Sequence, residues 1–144
     1  MVATEASSIP NYAHIIGIER DQLVKEFGWK KDSDNNIRVH IEEACGFELL
    51  DESINEVIDV ALLWWRNKDG DLVDKLMDII TSLNEDGVIW IMTPKTGRSG
   101  YVMPVEIAAA APTAGLMQTS SFKLGNWMAS RLVQSKSKTP GKKA

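Results

Sequence analysis

Two short, almost wholly apolar runs separated by one amphipathic stretch limit what this chain can fold into. The run Ile58-Asp59-Val60-Ala61-Leu62-Leu63-Trp64-Trp65 has one polar residue, and residues 88–92 have none. Runs of that length without polar alternation fit strands covered on both faces. Between them Leu72, Val73, Leu76, Ile79, Ile80 and Leu83 recur at helical spacing, with Asp74, Lys75 and Asp78 opposite. Asp71 is placed to cap this helix, and Asp74 adds a carboxylate near the positive end of its dipole. Asn84-Glu85-Asp86-Gly87 is expected to end it, with Gly87 in a left-handed or tight turn. Strand, helix, strand makes a right-handed βαβ unit, so the sheet must be at least partly parallel.

The rest of the composition sets outer bounds. A chain of 144 residues is expected to form one domain with a substantial core. No apolar stretch approaches the roughly 20 residues of a membrane-spanning helix. Residues 1–12 lack the charged-then-apolar layout of a signal peptide. The single cysteine excludes an internal disulfide, so a reducing cytoplasm is the expectation. Charge is uneven: residues 1–94 hold 19 acidic and 8 basic side chains, and residues 95–144 hold 1 and 8. The basic end, SKSKTPGKKA, has no aromatic residue for base stacking, which favours a solvated tail over a nucleic-acid contact. The expected organisation is a loosely ordered arm over 1–18, a folded domain over 19–134 and a basic tail over 135–144. Tyr12, Ile15, Ile16 and Ile18 are the arm residues able to dock on the body.

Residues 19–29, ERDQLVKEFGW, fit either a helix or a strand around Leu23–Phe27. Residues 30–36 form a polar loop, residues 37–46 a helix with Ile37, Val39, Ile41, Ala44 and Cys45 as its apolar stripe, and residues 47–50 a short strand. Within this segment Asp32, Asp34, Asn36 and Glu43 match positions of a calcium-binding EF-hand loop. The sixth position, however, needs glycine and holds Ile37, so an acidic helix start is preferred. Residues 93–101 are a loop with two glycines and two cations. Pro104 opens a helix that Pro112 and Gly115 are expected to terminate. Residues 116–123 and 126–134 read as an antiparallel hairpin joined at Leu124-Gly125.

The succession of strands and helices, closed by that hairpin, resembles the second half of a class I methyltransferase-like Rossmann fold. IDVALLWW is similar to that family's Asp-led fourth strand, NEDGVIWIM to the phrase after the next helix, and AGL to the entry into the last hairpin. By the same resemblance Gly28 follows the first strand and Asp51 sits where an acidic residue meets a ribose. The family's loop continues G-x-G, whereas here it continues Gly28-Trp29-Lys30-Lys31-Asp32. Over nearly the whole chain, the phrases ALLWWRNKDGDLVD, DGVIWIMTPKTGRSGYVMP, AAAAPTAGL and QTSSF resemble the bacterial family named domain of unknown function 3052. That resemblance implies a small α/β, Rossmann-like three-layer sandwich, mostly parallel, with an antiparallel C-terminal hairpin. It carries over no catalytic residue.

No catalytic constellation emerges from the residues themselves. Cys45 lies in a helix stripe and reads as a buried thiol. His14 and His40 lack zinc-ligand spacing. Ser99 is in R-S-G and not G-x-S-x-G. Asp69, Asp71, Asp74 and Asp78 read as a solvated face. Rossmann-like sheets bind ligands beyond the carboxyl ends of their parallel strands, where two loops emerge, 65–68 and 94–98. There Arg66, Lys95 and Arg98 are expected to converge beside a Trp65 wall, with Thr96 and Gly97 supplying backbone amides for a carboxylate or phosphate. The alternative is three exposed cations and a core tryptophan.

Two functions fit. The preferred one is a non-catalytic binding or regulatory module that presents this edge to a protein or an anionic metabolite, without a cofactor. The second is an S-adenosylmethionine-dependent methyltransferase with a divergent loop, using Gly28 and Asp51. Neither involves a metal, a membrane or nucleic acid.

Overall fold

The computed structural model describes residues 11–135. The expectations for residues 1–10 and 136–144 lie outside that range. The elements are α1 (Tyr12–Ile15), β1 (Val24–Phe27), α2 (Asn35–Cys45), β2 (Ile58–Trp64), α3 (Leu72–Ile80), β3 (Leu83–Pro94), α4 (Pro104–Thr113), β4 (Leu116–Leu124) and β5 (Trp127–Gln134). The five strands form one sheet in the order β1-β2-β3-β5-β4. The first three are mutually parallel, β5 runs antiparallel to β3, and β4 runs antiparallel to β5. The architecture is therefore the Rossmann-like α/β sandwich, mostly parallel with an antiparallel C-terminal hairpin, that the resemblance implied.

The unbroken apolar run of β2 is needed because both faces of the sheet are covered. Val60, Leu62 and Trp64 pack with Tyr12, Ile16, Ile37 and Ile41 on the α1/α2 side. Ala61, Leu63 and Trp65 pack with Leu76, Ile79, Ile107 and Ala111 on the α3/α4 side. Asp59, the polar interruption, accepts the Leu23 N–H at 2.9 Å. The α1/α2 side is unusually aromatic: Trp64 lies edge-on to Trp127 at 4.9 Å and to Trp29 at 5.6 Å. Each such pair contributes roughly 0.5–1.5 kcal/mol beyond burial. The Trp64 indole N–H donates to the buried Glu26 carboxylate at 2.9 Å, and Arg38 neutralises that carboxylate. Arg38 in turn stacks 3.5 Å above the Trp29 ring.

Several expectations change in three dimensions. The ambiguous 19–29 segment resolves into the short strand β1, whose four residues are all buried. The expected strand at 47–50 shrinks to a single parallel bridge, Lys25–Leu50. The expected loose arm is docked over residues 11–18. Tyr12, Ala13, Ile16 and Ile18 join the core, and His40 Nδ1 accepts the Tyr12 N–H at 3.1 Å. The third helix stops at Ile80, because Leu83 is already in register with Ile58. Residues 84–87 bulge out before pairing resumes at Val88, and Gly87 has an ordinary negative φ. Its lack of a side chain serves packing: a Cβ there would sit 2.6 Å from Leu83 Cδ1. Pro112 lies inside the last turn of α4 and does not end it. The final hairpin turns at Gly125-Asn126, one residue later than expected, where Gly125 supplies the positive φ of 65°. Among the described residues no helix is long and apolar enough to cross a membrane.

Candidate functional site

The Lys25–Leu50 bridge matters because it gives β1 a parallel neighbour on the side away from β2. The chain leaves β1 toward Leu50 on one side and returns to β2 on the other. The crevice between the carboxyl ends of β1 and β2 is therefore the point where the strand order reverses, the usual ligand position in such sheets. Gly28 follows β1 there, and Trp65-Arg66 follows β2.

In this chain a side chain reaches across the crevice and narrows it to a hollow of about 300 Å³, lined by Gly28, Leu63, Trp64, Trp65 and Lys75 among others. Arg66 is 6% exposed and extends back across the strand ends. Its Nη1 donates to the Gly28 carbonyl at 2.9 Å and the Trp64 carbonyl at 3.3 Å. Its Nε and Nη2 grip Asp32 at 3.1 and 2.5 Å, and Nη2 also donates to Ser33 Oγ at 2.9 Å. Asp69 accepts the Arg66 backbone N–H at 3.0 Å and lies 3.4 Å from Nη1. A fork that pairs with a carboxylate while bonding two carbonyls uses the planar geometry specific to arginine.

Gly28 is equally committed to internal contacts. Its φ is 77°, its N–H donates to Glu52 at 2.8 Å, and a Cβ on it would lie 2.4 Å from the Trp64 carbonyl oxygen. The glycine thus permits close approach of β2's backbone.

The residues singled out from sequence separate into three places. Trp65 is 6% exposed and belongs to the α3/α4 core, so it is a core tryptophan and not the wall beside the cations. Arg66 and Arg98 instead meet over Trp127, their guanidinium carbons 5.3 and 5.4 Å from its ring centre. Lys95, Thr96 and Gly97 form a turn in which the Lys95 N–H donates to the Asn126 carbonyl and the Arg98 N–H to the Lys95 carbonyl, so two loop amides are already used. Asp51 holds its own turn, accepting the Ser53 N–H at 2.8 Å and hydroxyl at 2.5 Å. Those bonds keep its carboxyl below the usual range. Of the calcium-like set, Asp32 pairs with Arg66 and Asp34 caps α2 through the Asn36 N–H.

The sequence reading missed Asp69 and Trp127. Its helical spacing puts Asp69 on a solvated face, yet its side chain is only 13% exposed, held by Lys30 at 2.7 Å and by Arg66. The spacing Arg66-x-x-Asp69, which lets a carboxylate fold back on the preceding N–H, was the available signal.

Above Arg66 lies an open groove of about 710 Å³, lined by Lys30, Lys31, Lys68, Asn67, Ser99 and Gly100 together with Asp32, Arg66 and Asp69. Lys31 and Lys68 form no ion pair among the described residues, whereas the two carboxylates are neutralised by Arg66 and Lys30.

The hydrogen bond from Arg66 holds the Asp32 carboxyl below its ordinary value. Burial pushes Asp69 up, but bonds from Lys30 and the Arg66 N–H, with the charge of both cations, bring it below the ordinary value. A depressed folded-state pKa gives stability that is complete above the unfolded value of 3.8 and is lost as pH falls through the folded value. The midpoint of urea unfolding is therefore expected to be flat above about pH 5 and to fall below about pH 4. Asp32→Asn with Asp69→Asn should lower the plateau and flatten the acid limb. An acid limb as steep as that of the unaltered chain would refute this assignment.

Comparison with known proteins agrees with the strand order. The family model described as "Protein of unknown function (DUF3052)" matches residues 13–136. The chain belongs to this family. Uncharacterized proteins of Mycobacterium tuberculosis (strain H37Rv) and Mycobacterium bovis are 66% identical over 138 residues, covering 96% of this chain and 86% of theirs. Among solved structures, the mitomycin 7-O-methyltransferase MmcR superposes with a TM-score of 0.63 at 12% identity, covering 87% of this chain and 53% of its own. The pyocyanin biosynthetic protein PhzM gives 0.60 at 10% identity, covering 92% and 56%. The Burkholderia thailandensis 1,6-didemethyltoxoflavin-N1-methyltransferase, solved with S-adenosylhomocysteine, gives 0.57 at 13%, covering 86% and 75%. The chain spans about half the length of MmcR and PhzM. Likeness at this identity establishes the fold alone.

The residues here do not fit S-adenosylmethionine in the position that this fold offers. The Gly28 N–H and carbonyl are bonded to Glu52 and Arg66, and Trp29 and Lys30 follow in place of the glycine that would let the backbone approach the ligand.

Proposed function

We propose that this domain is a non-catalytic recognition module that takes a small phosphate- or carboxylate-bearing molecule in the basic groove over Arg66. One observation carries the reading: Arg66 crosses the strand ends, bonded to Gly28, Trp64, Asp32 and Ser33, and so forms the fixed floor of the larger, lysine-lined groove. The groove falls within the roughly 300–1,000 Å³ of small-ligand sites. Lys31 and Lys68 supply the charge that is not already paired. Lysine is a mobile point charge, suited to an oxyanion held at the rim and not to a fixed bidentate grip.

Calorimetry on the full chain tests this with pyrophosphate, S-adenosylmethionine and polyglutamate. Pyrophosphate is expected to bind, with its affinity falling about tenfold or more in Lys31→Glu/Lys68→Glu and with added salt. S-adenosylmethionine should give no heat. Micromolar binding of S-adenosylmethionine that is lost in Asp51→Ala would replace this reading with the methyltransferase one. Binding of polyglutamate without pyrophosphate would move the partner from a metabolite to an acidic protein segment.

A further inference from the structure

The far side of the 94–104 loop holds a second, more closed hollow of about 170 Å³, beneath the start of α4 and against the ends of β3, β4 and β5. It faces the α3/α4 side of the sheet, as the buried neighbours Val102 and Ile107 show, so it is separate from the groove over Arg66. Its body is apolar: Pro94, Val102, Pro104, Ile107 and Met128. No lysine, arginine, aspartate or glutamate lines it.

The polar groups that reach it are uncharged. Gln118 Nε2 donates to Ser121 Oγ at 3.3 Å, and Ser121 Oγ lies 3.4 Å from the buried Ser130 Oγ. Thr93 is only 3% exposed and lines the hollow, yet its hydroxyl has no hydrogen-bond partner among the described residues. No side-chain hydroxyl or amide is sealed away without a partner among the described residues, so the Thr93 hydroxyl is accessible, and Thr93 lines the hollow. A hydroxyl that opens only into such a hollow takes its bond from water or from a ligand group that displaces the water. The Tyr101 hydroxyl at the same wall also has no protein partner among the described residues.

The start of α4 adds direction. Met103 makes no side-chain cap, and Glu106 of the first turn lines a different hollow, beside Trp65 and Asn67. The hollow has no charged side chain to pair with an anion, which favours a neutral carbonyl oxygen over a carboxylate.

We infer that this hollow is a binding site for an uncharged, part-apolar molecule of fragment size that bears an amide or hydroxyl group. The apolar body packs against Val102, Ile107 and Met128, and the polar group satisfies Thr93 and the Gln118–Ser121–Ser130 chain. The site lies below the roughly 300 Å³ of drug-sized pockets, which limits the ligand to about a single ring.

Benzamide and benzoate make a neutral and an anionic probe of one shape. They are titrated into isotope-labelled full chain, following the backbone amides of Thr93, Tyr101, Ser121 and Ser130 by NMR. Benzamide should give saturable shifts at these amides below about 10 mM, and benzoate should bind about tenfold more weakly. Thr93→Val, which keeps the side-chain shape, should weaken benzamide about fivefold. Should that variant fail to fold, Ser130→Ala tests the same hydroxyl chain with the same expected loss. Benzoate binding as tightly as benzamide, no saturation by either probe, or benzamide binding unaltered by the substitution would each overturn the inference.

Discussion

Gly28→Ala is expected to destabilise the domain by about 3–5 kcal/mol, although it adds one methyl group. Two separate costs combine. The residue is at φ 77°, where an L side chain is strained by roughly 1–2 kcal/mol. The new Cβ would also be 2.4 Å from the Trp64 carbonyl oxygen, which belongs to a strand buried on both faces and has nowhere to retreat. Gly97→Ala separates these costs. Gly97 has φ 90° but nothing within 4 Å of its Cβ position, so only the strain, about 1 kcal/mol, should appear. Thermal melting of both variants checks the pair, with Gly28→Ala expected to lower Tm by about 10 °C and Gly97→Ala by a few degrees. Equal effects would show that β1 and β2 do not approach as closely as described.

Arg66→Ala is the second large effect, about 3 kcal/mol. It removes the donor shared by two backbone carbonyls, Gly28 and Trp64, and the counter-charge of Asp32 and Asp69. Asp32 is 42% exposed on its side chain and will be rehydrated, so most of the cost comes from the buried carbonyls and from lost packing on Trp127. Arg66→Lys should recover less than half of it, since an ammonium cannot fork between a carboxylate and two carbonyls. Urea unfolding followed by tryptophan fluorescence reports both variants. Full stability in Arg66→Lys would mean that charge alone, and not the fork, stabilises the strand ends.

Much of the frame could be read from the chain because it rests on local pattern. The apolar runs of β2 and β3, the Asp71-capped helix, Pro104 at a helix start and the terminal hairpin each depend on residues a few positions apart. Where the reading slipped, a distant partner had won over local periodicity. Leu83 continues the helical stripe, yet its pairing with Ile58 takes it into a strand. The 11–18 segment has no periodicity to detect, because its burial depends on α2, including His40.

The candidate site was less legible. Arg66 and Arg98 follow the carboxyl ends of β2 and β3, but the Trp65 expected beside them is sent by side-chain alternation to the other core. Their actual aromatic neighbour, Trp127, lies about sixty positions away in sequence from Arg66 and arrives only because β5 inserts beside β3.

By itself, then, the sequence determined an α/β sheet, its mainly parallel order and the end of it from which loops emerge, since hydrophobic period and turn residues act over short distances. Only the tertiary structure decided what lies across that end. The arginine reaches back to Gly28 and Asp32, more than thirty residues earlier, and crosses the strand ends beneath a basic groove. Such long-range pairing is set by the register of β1 on β2, which no single stretch of the chain encodes.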